Sequence, residues 1–224
     1  MKSEILTYYN TLAKDYDQDR FNNTYGKYIH TQESKILKKY LDPNYIETTL
    51  DLACGTGRFL DYAKYGSDIS EEMIKIGRKK FPDRILEIAD AENLPFKNNT
   101  FESIISFHLF MHLNSKALKN ILKEVSRICK TGGQFIFDIP SKNRRKLLGY
   151  KSSSWHGGYQ ISKTELEKMI GNDWSIETFH GVAFFPIHRI PKKLRFLCIK
   201  LDTILCNSIF KSYSSHLIFV LKRK

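Results

Sequence analysis

The chain has 224 residues, 42% of them hydrophobic, and a formal net charge of +12. That length and apolar content suit one domain with a full core and exclude a disordered chain, while the positive balance favours an anionic partner: RNA, a phosphorylated metabolite or an anionic membrane surface. Cys54, Cys129, Cys198 and Cys206 lack both CxxC spacing and a neighbouring histidine pattern, so neither a zinc site, nor any metal, nor a disulfide framework is expected.

Residues 3–21 read as an aromatic-rich helix with Tyr8, Tyr9, Tyr16 and Phe21. A second helix is expected over 27–41, with Ile29, Ile36, Leu37 and Leu41 on one face and Pro43 as its stop. A first strand is expected over 46–53, a short helix over 58–64, and a second strand ending near Asp68. Ser70 then caps a helix running to Lys80, with Glu71 and Glu72 in its first turn, where the helix dipole favours them. Further strands are expected over 84–89 and 101–107, then a helix over 115–129, and Gly132–Gly133 turning the chain into a fifth strand over 134–139. Beyond Pro140 the pattern loosens: a basic loop over 142–151, a helix over 164–170, a strand over 175–184 and a last strand over 216–221. Apolar strands alternating with helices give an α/β fold, a parallel sheet with helices on both faces.

Chemistry concentrates where LDLACGTG, residues 50–57, ends a strand at Asp51 and opens into a loop with Gly55 and Gly57. Strand, glycine turn and helix start in that order make a cradle for a nucleoside cofactor, because glycine lets backbone approach a ligand closely. Four segments in this order, LDLACGTGRF at 50–59, SDISEEMI at 67–74, DAENLPF at 90–96 and ICKTGGQFIFDIP at 128–140, resemble the class I S-adenosylmethionine-dependent methyltransferases. The resemblance implies a Rossmann-like, seven-stranded, mostly parallel sheet with an antiparallel last strand, in a single domain spanning 1–224. It implies S-adenosylmethionine as cofactor, with contacts from Tyr16, Arg20, Asp51, Ala53, Gly55, Gly57, Asp68, Ile69, Asp90, Ala91 and Phe107. In that reading Asp51 organises the methionyl ammonium through the loop, Asp68 accepts both ribose hydroxyls, and Asp90 and the Ala91 N–H meet the adenine. The N-terminal YYNTLAKDYDQDRF resembles the lid helix of small-molecule methyltransferases, so 1–42 is expected to cover the site, with Tyr16 over the cofactor and Arg20 at its carboxylate.

A nicotinamide dehydrogenase is disfavoured: its third glycine falls on Leu60, and Asp68 comes too soon after Gly57 for the usual ribose acid. The fourth strand runs into SFHLFMHL, which places His108 and His112 near the reacting methyl; an imidazole there is a candidate base for an acceptor hydroxyl. Trp155, His156 and Tyr159 fall in a loop where acceptor pockets are common. The expected reaction is methyl transfer to a small-molecule or lipid-linked acceptor, at oxygen or carbon. An RNA methyltransferase and a non-catalytic S-adenosylmethionine-binding partner protein are the alternatives. Segment 186–212 combines Leu194, Leu197, Leu201, Ile204 and Leu205 with Lys192, Lys193, Arg195 and Lys200, and is expected to form an amphipathic helical insertion before the last strand; packing on the sheet edge is the first reading for it, and contact with an anionic membrane surface or a lipid-linked acceptor the second. MKSEILTYYN carries no apolar signal core and no run of about 18 apolar residues is present. The expected setting is therefore cytoplasmic, with a peripheral place at the inner membrane face as the alternative.

Overall fold

A computed structural model describes residues 2–150 and 157–224. Seven strands form one sheet in the order β3-β2-β1-β4-β5-β7-β6. They are β1 (Thr49–Leu52), β2 (Tyr65–Asp68), β3 (Ile85–Ile88), β4 (Phe101–Ser106), β5 (Cys129–Pro140), β6 (Trp174–Val182) and β7 (His216–Arg223). Strands β1 to β5 pair in parallel, whereas β7 runs antiparallel to both β5 and β6. The sheet is thus the mostly parallel one expected, with an antiparallel last strand. Strand order reverses between β1 and β4, and a crevice opens beyond the carboxyl ends at such a switch point.

Strand alternation sorts the core. Phe135, Phe137 and Ile139 of β5 and Leu217, Phe219 and Leu221 of β7 face α5 (Ser115–Ile128), meeting its Leu118, Ile121, Leu122 and Val125. Each such side chain fully buried contributes about 1.5–3 kcal/mol. Ile136, Ile218 and Val220 point the other way, onto α3 (Thr24–Tyr40), which presents Ile29 and Leu37. Asp138 shares the alternation of Ile136 and therefore lies on the α3 side, and Glu33 falls between Ile29 and Leu37 on the inward stripe of that helix.

Several local expectations need correction. The N-terminal helix over 3–21 is two helices, α1 (Lys2–Leu12) and α2 (Tyr16–Phe21), broken at 13–15. No helix forms over 58–64. Only 53–64 separate β1 from its parallel neighbour β2, and a crossover that short is spanned by successive turns, with Gly57 N–H bonding Cys54 O, Leu60 N–H bonding Gly57 O and Ala63 N–H bonding Leu60 O. Gly132 and Gly133 lie inside β5, with a register shift opposite 101–103, instead of preceding it. The basic stretch expected as a loop begins with helix α6 (Lys142–Leu147), capped by the Ser141 hydroxyl. Helix α4 (Glu71–Lys80) starts on its Ser70 cap as expected, and α7 (Lys163–Met169) is closed by a Ser162–Glu165 capping box. Helix α8 (Arg195–Cys206) fills a little under half of 186–212, with short 3-10 turns at Ile187–Arg189 and Lys192–Leu194 before it.

The corner between α2 and α3 depends on Gly26. A Cβ at this position would lie 2.1 Å from Arg20 O and 2.7 Å from Phe21 Cα, both backbone atoms that a side-chain rotation cannot move. Gly26→Ala is expected to displace α2 and destabilise the chain by about 1–3 kcal/mol in a urea melt; an unchanged midpoint would show that the two helices are not held at this contact.

Candidate functional site

Beyond the carboxyl ends of β1, β2 and β4 the chain leaves two chambers that share a wall. The first, of about 110 Å³, takes in Ala53 and Gly55 from the glycine loop, Asp68 and Ile69 from the end of β2, Asp90 and Ala91 after β3, and Phe107, His108 and His112 after β4. The second, of about 290 Å³, is lined by Arg20, Phe21, Tyr25, Met111 and His216 among others. Tyr9, Tyr16, His108 and His112 border both. A smaller recess beside them holds Asp51, Thr56, Arg58 and Phe59.

Local backbone conformation builds the first chamber. Gly55 has φ +55°, and a Cβ there would meet nothing within 4 Å, so its open face looks onto free space. Gly57 has φ +96° and a different role: a Cβ would press on Leu60 and Phe81 at 2.7–2.9 Å, so this glycine permits packing and borders none of the three cavities. Asp68 Oδ2 accepts the Gly55 N–H at 2.9 Å and Oδ1 accepts the Ser70 N–H at 2.9 Å. Burial raises its pKa and these amides oppose the rise. A carboxylate at the end of β2, steered by two amides and bordering the chamber, fits a ribose diol, and the open Gly55 face fits a closely approaching ligand backbone.

Asp90 accepts from Lys2 at 2.6 Å and from the Glu92 N–H at 3.0 Å, so the start of α1 closes over the Asp90 side of the first chamber. Asn10 and Ser70 share a 2.6 Å bond, and Asp17 takes Thr56 Oγ1 at 2.5 Å and Lys80 at 2.8 Å. These three contacts hold α1 and α2 across the mouth. Arg20 lies on the second chamber and donates to the Tyr8 hydroxyl at 2.9 Å. Tyr159 packs partly buried at the edge of the α5-side core. Trp155 and His156 lie outside the described residues.

A buried charge cluster that the sequence did not reveal holds His108, which borders both chambers. Glu33, 1% exposed, accepts from Arg58 at 2.7 Å and faces His108 Nε2 at 3.1 Å; the His108 N–H donates to Asp138 Oδ1 at 2.6 Å. Burial alone would raise the Glu33 pKa, but Arg58 and His108 bring it down to about 2. Burial pulls His108 down, and Asp138 and Glu33 overcome this to raise it. Ligand atoms of Glu33, His108 and Asp138 lie within 4.8 Å of one another, yet the Arg58 guanidinium already balances the Glu33 carboxylate, so a metal ion would compete with it. Arg58 is stacked between Phe21 and Phe59, 4.3 and 4.1 Å from their centroids. Its Nη2, together with Asp138 Oδ2 and His216 Nε2, has no hydrogen-bond partner among the described residues. Glu33, Arg58, Asp138 and His216 escaped the sequence reading as site residues, and Tyr9 was read only as part of the aromatic N-terminal helix. Arg58 directly follows the Gly57 turn, the one signal that could have found it.

Asp51 is buried in the recess, and burial pushes its pKa up to about 8; Arg58 acts against the rise and Asp68 with it. A carboxyl raised in this way stabilises the fold fully below its unfolded pKa, and that contribution is lost as pH climbs through about 8. The melting temperature is therefore expected to fall between pH 6 and pH 9 in thermal scans, and Asp51→Asn to flatten that fall; identical slopes would show that Asp51 is ionised throughout.

Residues 50–137 match the family model described as a methyltransferase domain. An uncharacterized protein of Methanocaldococcus jannaschii is 41% identical over 140 residues, which covers 62% of this chain and 52% of that protein. The demethylmenaquinone methyltransferase of Paenarthrobacter aurescens is 32% identical over 140 residues, covering 59% of this chain and 53% of the relative, so the chain spans about half the length of each. The crystal structure of magnesium protoporphyrin IX methyltransferase from Synechocystis with bound S-adenosylmethionine superposes with a TM-score of 0.67 at 15% identity, covering 100% of this chain and 97% of that one. The match over residues 50–137 is thus to a methyltransferase domain, and the chain as a whole shares its fold with the Synechocystis methyltransferase.

Proposed function

We propose that this chain transfers a methyl group from S-adenosylmethionine to a small-molecule acceptor, at an oxygen or carbon nucleophile. The observation that carries the reading is the wall of Tyr9, Tyr16, His108 and His112 shared by two chambers, one lined by the cofactor-type residues and one beyond them. Bound S-adenosylmethionine supplies an electrophilic methyl group on a sulfonium. The chain's own task is to hold donor and acceptor in line and exclude water, which needs little acid–base machinery. In this reading Asp68 and Ala53–Gly55 hold the ribose and amino-acid end, Asp90 and Ala91 border the base, and Asp51 and Arg58 serve the methionyl charges from the recess. Residues 1–42 act as a cover, with Tyr16 towards the sulfonium.

The second chamber surrounds its occupant with Tyr9, Tyr16, Phe21 and Tyr25, together with Arg20, His108 and His216. Such a lining supports a flat, hydroxylated acceptor, and the naming of the Paenarthrobacter relative as a demethylmenaquinone methyltransferase supports the same class. His108 is the group suited to take a proton. Glu33 holds Nε2, which leaves Nδ1 as the ring nitrogen to accept it, and the two carboxylates strengthen the base. His112 shares a 2.7 Å hydrogen bond with the Tyr9 hydroxyl and acts with it as a positioning pair between the chambers.

Formation of S-adenosylhomocysteine with a panel of phenols and quinols, and with small-molecule, lipid and RNA fractions of a cell extract, tests the proposal. Turnover confined to RNA, or cofactor binding with no turnover in any fraction, would overturn it. Asp68→Ala is expected to weaken S-adenosylhomocysteine binding about tenfold or more by calorimetry, because charge-assisted bonds of roughly 1.5–3 kcal/mol are removed, with Asp61→Ala as the unaffected control. His108→Ala should lower turnover by about 10²–10⁴ and leave S-adenosylhomocysteine affinity within a few-fold; full turnover in this variant assigns His108 to packing.

A further inference from the structure

Helix α8 is built inside out. Its buried residues are Asp202 and Cys206. Asp202 accepts from the Tyr28 hydroxyl, from the Phe185 N–H at 2.6 Å and from Gln32 Nε2 at 3.3 Å, and Gln32 in turn receives the Ala183 N–H at 3.0 Å. A buried carboxylate with these partners fixes the rotation of the helix about its axis, since turning it outward would strand three donors. The consequence is that Leu197, Leu201 and Ile204, spaced i, i+4 and i+7, form one stripe facing solvent and are 57%, 49% and 65% exposed. Phe196 on the same helix and Ile209 and Phe210 just beyond it are exposed as well, Ile209 at 89%. Contiguous apolar exposure of this kind marks a surface with a partner.

The charge around this stripe is one-sided. Within 186–212 the sequence carries Arg189, Lys192, Lys193, Arg195, Lys200 and Lys211, and its one acidic residue is the buried Asp202. Lys200 lies within the stripe itself, and Arg189, Lys193 and Lys200 are exposed. A second copy of the same face would set lysine against lysine, which disfavours a symmetric dimer here. We propose that this face docks on an anionic lipid bilayer, with α8 lying in the headgroup plane, Leu197, Leu201 and Ile204 in the acyl boundary and the lysines on lipid phosphates. Arg195 bonds Thr24 Oγ1 and the carbonyls of Ile190 and His188, and the His188 ring lies 5.0 Å from Tyr25, a wall residue of the second chamber. The docking face therefore adjoins that chamber. The inference is independent of the reaction, because it rests on α8 and its surroundings alone.

Co-sedimentation of the whole chain with vesicles tests it, using phosphatidylcholine alone and phosphatidylcholine containing phosphatidylglycerol. The expected result is pelleting with the anionic vesicles only, weakened by salt and reduced about tenfold or more by Leu197→Glu combined with Leu201→Glu. Both side chains are exposed, so circular dichroism should match the parent; if that double variant fails to fold, Lys200→Glu carries the same comparison with a smaller loss. No pelleting at low salt, or pelleting undiminished in the folded variants, overturns the proposal. So does a concentration-dependent dimer in size-exclusion chromatography that the double variant abolishes while vesicles are ignored, which would assign the face to a second copy.

Discussion

The buried carboxylate of Glu33 is the constraint on which the site depends. It joins α3 to the glycine loop through Arg58 and to the end of β4 through His108, and Asp138 extends the link to β5. Taking a carboxylate and a guanidinium out of water costs several kcal/mol per ion, so an arrangement of this kind persists only where the partners are well placed and further bonds satisfy them. Breaking any one link strands a charge in the core. His108, the member that borders both chambers, is consequently held stiffly, and Phe21 and Phe59 on either side of the guanidinium leave Arg58 little room to move.

The cover is held quite differently. Lys2 on Asp90 and Glu92, Asn10 on Ser70, and Asp17 on Thr56 and Lys80 are mostly solvent-facing polar contacts. Exposed ion pairs are worth about 0–1 kcal/mol each and weaken with salt. A rigid base under a lightly latched pair of helices suits a site that must admit a nucleoside and then enclose it.

Much of the fold was legible because local rules and tertiary demands agree there. The Ser70 cap, the alternating apolar strands and the inward stripe of α5 each say the same thing at every level. The helix expected over 58–64 fails because chain length overrides periodicity: 53–64 must cross between neighbouring parallel strands, and turns do this in fewer residues than a helix with its own connections. Glu33 was hidden for the opposite reason. Spacing places it on the inward stripe of α3, but a glutamate there reads as an interruption until Arg58 and His108, distant in sequence, are seen to meet it. Asp138 is masked in the same way, inside a strand that otherwise reads as core.

Ala53 and His108 both adopt left-handed backbone, with φ of 59° and 62°, and they stand at the carboxyl ends of the two strands that flank the crevice. Side-chain-bearing residues adopt this region at a cost of about 1–3 kcal/mol. The bond from the His108 N–H to Asp138 helps to hold one of them in place. Among the described residues Asn99 and Ala183 are the other non-glycine residues with such backbone, so two of the four stand at the crevice. Glycine at either position would relax the backbone while deleting a side chain from the crevice, so at this corner a gain in backbone comfort comes only with a change in the lining of the site.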